Sequence, residues 1–205
     1  REPRVAITEH HPVAEVLVAS GRVTGVRLGS GEELVAERVV IAGGAWTAPL
    51  LQKLGVRIDI RPVKGEMLLY QVAPGMIHAV VQDHGRYAVP RRDGHLLFGS
   101  TLVEAGYDDA TTEEARVELM AAAAALVPAL ATAPLVTHWA GLRPGSPDGI
   151  PSIGEIPGIS GLYVNAGHYR NGVLMAAASA RLLADLMLGR EPIVSPEPYR
   201  VSAGA

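Results

Sequence analysis

Two arginines stand where the surrounding sequence is apolar or rich in glycine. Arg143 lies in Trp-Ala-Gly-Leu-Arg-Pro-Gly (139–145), which continues into Ser-Pro-Asp-Gly-Ile-Pro-Ser-Ile-Gly (146–154). A guanidinium presents a planar fork of N–H donors that fits a carboxylate, so an arginine in that setting points to carboxylate binding or to an internal ion pair. Arg170 lies in Gly-His-Tyr-Arg-Asn-Gly-Val-Leu (167–174). This stretch follows an apolar strand-like run and opens a helix-like run. The start of a helix exposes free N–H groups and a partial positive charge. A cation beside it suits an anionic ligand better than it suits the helix; a solvated turn arginine is the other reading.

Other chemistries find little support. The chain has no cysteine, which excludes disulfides, thiolate nucleophiles and zinc ribbons. Its seven histidines, His10 and His11 among them, show no metal-ligand spacing, so no metal site is expected. No Gly-x-Ser-x-Gly elbow is present. Residues 29–34 imitate a dinucleotide fingerprint, but the third position is Leu34 and strand-like sequence follows, so they read as a hairpin turn. No other G-x-G-x-x-G occurs.

The elements that must position the arginines follow from pattern. Residues 13–20 and 22–28 are valine-rich and joined by Ser20-Gly21, and 33–36 follow a second glycine turn, which predicts a three-stranded meander. Residues 38–42 form an apolar run typical of a strand buried on both faces, and a short helix follows from Gly43-Gly44 to Leu54. From Arg61 the texture changes to short β segments at 66–72, 77–82, 86–90 and 94–101, which predicts an antiparallel sheet. Thr111 with Glu114 forms a capping-box pattern for a helix that Pro128 ends. Residues 141–149 read as loops, 161–167 as a buried strand, and 171–188 as a helix closed by Gly189. The 39–42 and 162–167 strands are expected in one sheet, with 61–135 as a separate antiparallel layer.

The composition fits a water-soluble globular protein. Of 205 residues, 48% are hydrophobic and 19% charged, enough to build a core, and the net charge of −3 gives no reason to expect nucleic acid or anionic lipid as partner. Pro128 and Pro134 interrupt the longest uncharged run, 119–137, so no membrane span is expected. The chain opens on Arg1 with neither Met nor a signal peptide, and so reads as a piece of something longer or a processed product.

The two arginine motifs, with 61–67 (Arg-Pro-Val-Lys-Gly-Glu-Met), 86–91 (Arg-Tyr-Ala-Val-Pro-Arg) and 40–46 (Val-Ile-Ala-Gly-Gly-Ala-Trp), resemble the flavin-dependent D-amino-acid oxidase family. Within it they are most similar to the glycine oxidases of thiamine biosynthesis. The resemblance runs from about residue 8 to residue 200. It implies a mixed α/β (α+β) fold: the rear part of a glutathione-reductase-like FAD-binding domain (1–60 and 136–205) with an antiparallel-sheet substrate domain (61–135) inserted. It implies FAD as cofactor and oxidative deamination of glycine or a small D-amino acid, by hydride transfer from Cα to the flavin and with hydrogen peroxide as a product. No side chain is implied as a catalytic acid or base.

By the same resemblance, Arg143 clamps the substrate carboxylate, the Tyr87 hydroxyl is a second donor, and Arg170 lies at the edge of the site. The cofactor is implied to lie against Val13, Gly43, Gly44, Ala45, Trp46 and Gly141. It also meets the run His168, Tyr169, Arg170, Asn171, Gly172, Val173 and Leu174. Leu102 stands where the family often places a larger apolar residue over the substrate. The family's opening strand-G-x-G-x-x-G-helix unit is not in the chain, so a complementary segment or partner chain is expected to supply it, and tight FAD binding is expected only with that unit. Two alternatives stay open: a non-catalytic subunit that binds a partner chain, and a sarcosine or amine dehydrogenase-type subunit. A cytoplasmic location and an oligomeric assembly complete the expectations.

Overall fold

The computed structural model describes residues 4–201. In chain order they form β1 (Val13–Ala19), β2 (Arg22–Leu28), β3 (Glu33–Val35), β4 (Val39–Ile41), α1 (Thr47–Gln52) and β5 (Arg61–Gln71). Then come β6 (Val81–Asp83), β7 (Arg86–Pro90), β8 (His95–Gly99), α2 (Glu113–Leu126), β9 (Leu135–Gly145), β10 (Ser152–Glu155), β11 (Leu162–Ala166) and α3 (Gly172–Met187). They divide into two compact units, Arg1–Arg61 with Pro144–Ala205, and Pro62–Arg143.

The first unit holds two small sheets. The meander β1-β2-β3 turns at Ser20-Gly21, as the sequence predicts. The second sheet has the order β10-β11-β4, with β11 parallel to β4 (Leu162 opposite Val39, Val164 opposite Ile41). These two strands, far apart in sequence, do share a sheet. Val16, Val23, Ile41, Leu51, Leu162 and Val164 form the main core, and Leu182 and Leu183 of α3 pack on Ile153 and Tyr163. Strand β4 corrects the expectation of burial on both faces. Ile41 is buried, but Val40, which points the other way, is 40% exposed and lines an open cleft.

In the second unit the strand order is β6-β7-β8-β5-β9, and α2 covers one face. Leu119 and Ala123 of α2 meet Leu68, Tyr70, Ala88, Leu96 and Phe98. Strand alternation places Lys64 and Glu66 on that same face of β5 and sends Gly65 and Met67 to the other. Register carries Tyr87 to the face of Met67, since both lie opposite Gly99.

Several boundaries differ from the sequence reading. β5 begins at Arg61 rather than Glu66, and the predicted 77–82 strand is only the three residues of β6. Residues 141–145, expected as loop, continue β9. Since β9 is an edge strand, Pro144 lacks an N–H where the ladder can spare one. The α2 cap is Thr112, not Thr111: its side chain accepts the N–H of Ala115. The choice is tertiary. The Glu66 carboxylate accepts from the Thr112 N–H at 3.0 Å and from its hydroxyl at 3.1 Å, which holds Thr112 at the helix start.

Candidate functional site

In the second unit, Arg143 leaves β9 and lays its guanidinium over β5 at Gly65. A Cβ built on Gly65 would stand 1.9 Å from Nη1 of Arg143 and 2.3 Å from Cζ, so only glycine lets the side chain lie there. Nη2 donates to Ser100 Oγ at 2.6 Å, and Nη1 makes a longer contact with the Thr101 carbonyl at 3.4 Å. Both acceptors are neutral, and no carboxylate among the described residues pairs with Arg143. The ion-pair alternative therefore does not hold, and part of the guanidinium's donor fork is left for an anion.

Tyr87 stands on the same sheet face. Its hydroxyl donates to the Met67 sulfur at 3.9 Å, a weak bond that a ligand oxygen can replace. Gly141 lies exposed in β9, where an added Cβ would meet nothing within 4 Å. Leu102 is about half exposed. Sequence reasoning missed Gly65, Met67 and Ser100 as parts of this site. The 61–67 motif held the signal for the first two; nothing local marked Ser100.

The α2 side of the same sheet holds a buried polar cluster that sequence reasoning also missed. Lys64 donates to the Ala110 carbonyl at 2.9 Å and to Asp108 at 3.2 Å, and stands 3.9 Å from Glu66. His138 Nε2 lies 2.8 Å from the Glu66 carboxylate. These groups fix the helix to the sheet on the side away from Arg143.

In the first unit, Val13, Val39, Val40, Ala42, Gly43 and Trp46 line an apolar cleft of about 390 Å³. Ala45 is buried, whereas Trp46 is 55% exposed. Gly44 takes a positive φ in the short 3-10 turn that ends at Trp46. Next to Gly43 the buried Thr47 hydroxyl has no hydrogen-bond partner among the described residues. An apolar cleft with glycine at its edge and an unsatisfied hydroxyl close by suits a large, flat, partly polar group such as FAD.

The loop before α3 is stitched to 144–149. Ser146 Oγ donates to the Gly167 carbonyl at 2.6 Å, and the Tyr169 N–H donates to the Pro144 carbonyl at 3.0 Å. Tyr169 is held at φ 49°, and the Asn171 N–H returns to the His168 carbonyl. The first bond of α3 runs from the Met175 N–H to Asn171, whose side chain does not cap the helix, and its first turn has no acidic residue. The N–H groups of Gly172, Val173 and Leu174 are thus left for another acceptor. Arg170 is exposed and pairs with no acid among the described residues; Val173 and Leu174 are 98% and 86% exposed. The structure keeps the positive helix end and its adjoining cation, the pairing that the sequence marked as fit for an anion.

Half-buried His168 places Nε2 2.9 Å from Ser179 Oγ, and burial lowers its pKa from the usual 6.5. Below pH 6.5 the unfolded chain gains this proton before the folded protein does. Stability is therefore expected to fall with acidification from about 6.5 down to the folded-state value. Melting temperatures from pH 8 to 5.5 should fall more in wild type than in His168→Gln; parallel curves would remove His168 as the cause.

Among the described residues no helix is long and apolar enough to cross a membrane, and no cluster of three or more His, Cys, Asp or Glu could hold a metal.

Residues 1–186 match the family described as FAD dependent oxidoreductase. A glycine oxidase of Pseudomonas putida is 50% identical over 197 residues, covering 96% of this chain and 54% of that protein. A glycine oxidase of Pseudomonas aeruginosa is 54% identical over 178 residues, covering 87% and 49%. The crystal structure of glycine oxidase from Geobacillus kaustophilus superposes with a TM-score of 0.90 at 33% identity, covering 98% of this chain and 54% of that one. The chain thus spans about half the length of the curated relatives it matches. With that match covering most of its length, the chain belongs to the D-amino-acid oxidase family of FAD-dependent oxidoreductases.

Proposed function

We propose that the enzyme carrying this chain oxidises the amine of glycine or of a small D-amino acid, with hydrogen peroxide as a second product. When bound, FAD would supply the two-electron acceptor for the hydride of the substrate Cα, with dioxygen as the final oxidant. The observation that carries the reading is Arg143, a cation fixed by neutral acceptors with no carboxylate partner among the described residues. It binds the substrate carboxylate. Tyr87 exchanges its weak bond to Met67 for a carboxylate oxygen. With the carboxylate held and the amine neutral, loss of hydride from Cα and of a proton from nitrogen leaves an imine. Water converts the imine to the oxo acid and ammonia, and no side-chain base is required.

In this reading the second unit binds substrate. The first is the rear of the FAD-binding domain, with the Val13–Trp46 cleft and the start of α3 as its cofactor contacts. Arg170 and the free N–H groups of α3 offer positive charge to an anionic part of the ligand there. A G-x-G-x-x-G segment, in the same polypeptide or a partner chain, completes FAD binding. The glycine oxidase relatives at 50% identity or more support the substrate class.

The test is a set of small amino acids given to the purified, FAD-loaded enzyme, with flavin bleaching read without oxygen and peroxide and ammonia read with it. Bleaching by glycine or D-alanine followed by equimolar peroxide and ammonia is expected. Bleaching without peroxide would make it a dehydrogenase, and no bleaching by any of them would overturn the reading.

A further inference from the structure

We propose that Ser100 is a positioning residue for Arg143, and that its hydroxyl sets the orientation in which the guanidinium meets a carboxylate. The inference rests on the reading of Arg143 as the carboxylate clamp. Ser100 is 8% exposed, and its Oγ accepts from Nη2 at 2.6 Å, the shorter of the two bonds that hold the guanidinium. Its backbone is held from another side, since Arg86 donates to the Ser100 carbonyl and also pairs with Glu118. Below the guanidinium lies the bare Cα of Gly65, which permits close approach but offers no bond. Rotation of the guanidinium in its plane is therefore limited chiefly by Ser100.

The choice of a hydroxyl has a chemical consequence. A carboxylate at this position would compete with the substrate and cancel the charge that attracts it. A hydroxyl accepts one N–H bond and leaves the full positive charge to the ligand. An apolar residue would leave Nη2 without its partner and the fork free to turn away. Ser100 thus serves orientation without neutralisation, a combination that Ala, Asp or Glu could not supply.

The test uses the FAD-loaded enzyme with Ser100→Ala, Ser100→Cys and Ser100→Thr, and Arg143→Met as control. Affinity for acetate, a carboxylate with no amine to oxidise, is measured by calorimetry, and KM and kcat are measured with the preferred amino acid. Loss of one hydrogen bond to a charged group predicts that Ser100→Ala and the similarly sized Ser100→Cys weaken acetate binding and raise KM about ten-fold. kcat should change less than about two-fold, because the bond acts alike in ground and transition states. Ser100→Thr keeps the hydroxyl and should recover most of the affinity. If Ser100→Ala and Ser100→Cys bind acetate like wild type while Arg143→Met does not, the positioning role is overturned and the clamp stands. If Arg143→Met also binds acetate like wild type, clamp and positioning role fall together.

Discussion

Arg143→Lys should raise KM for the amino-acid substrate sharply in the FAD-loaded enzyme while the protein still folds. An ammonium is a point charge. It cannot offer two parallel N–H bonds to a carboxylate, and it cannot hold the contacts with Ser100 and Thr101 at the same time. Loss of such paired recognition at a partly buried anion costs about 2–5 kcal/mol, or roughly 30-fold to several thousand-fold in KM. The fold should survive because the acceptors of Arg143 are neutral hydroxyl and backbone oxygens, so its loss strands no buried countercharge. Steady-state kinetics on Arg143→Lys, with a melting curve to confirm folding, checks this. A KM within two-fold of wild type would remove Arg143 from substrate binding.

The largest effect on stability is expected at Glu66, on the opposite face of the same strand. Its carboxylate accepts from the Thr112 N–H and hydroxyl and stands beside His138 and Lys64, with 1% of its side chain exposed. Glu66→Ala would leave Lys64, 4% exposed, with only Asp108 and the Ala110 carbonyl, and would loosen Thr112 at the start of α2. Removing one member of a buried ionic group is expected to cost about 3–5 kcal/mol, because the remaining charge stays buried with less compensation. Glu66→Gln keeps the shape and one acceptor oxygen and should cost less. The urea midpoint, at unchanged slope, measures both variants. A Glu66→Ala loss below about 1 kcal/mol would show that the cluster is hydrated or readily rearranged.

The two faces of β5 therefore divide the work. Glu66 and Lys64 tie α2 to the sheet, and Gly65 and Met67, pointing the other way, lie against Arg143 and Tyr87. A one-residue slip of the strand would exchange them. The period of two, imposed on Lys-Gly-Glu-Met at 64–67, links the stability of the second unit to the shape of its site.

Features that depend on local chemistry can be read along the chain. The Ser20-Gly21 hairpin, the C-terminal end of α2, the extent of α3, and the apolar run that becomes β11 are set by turn residues, proline, glycine and runs of apolar residues, all legible within a few positions. Arg143 and Arg170 stood out for the same reason: each is a charge in surroundings that cannot neutralise it locally. Features that depend on partners distant along the chain emerge with the packing of the elements. Thr112 displaced Thr111 as the cap because Glu66, 46 residues away, holds it. Residues 141–145 became strand because β5 gave β9 an edge to join, where a proline is tolerated. Ser100 met Arg143 across 43 residues, and Gly65 met it through the pairing of β5 with β9. Val40, apolar in the sequence and open in the structure, shows the same rule in reverse. Local sequence sets whether a residue suits burial, and only the arrangement of the other elements decides whether anything covers it.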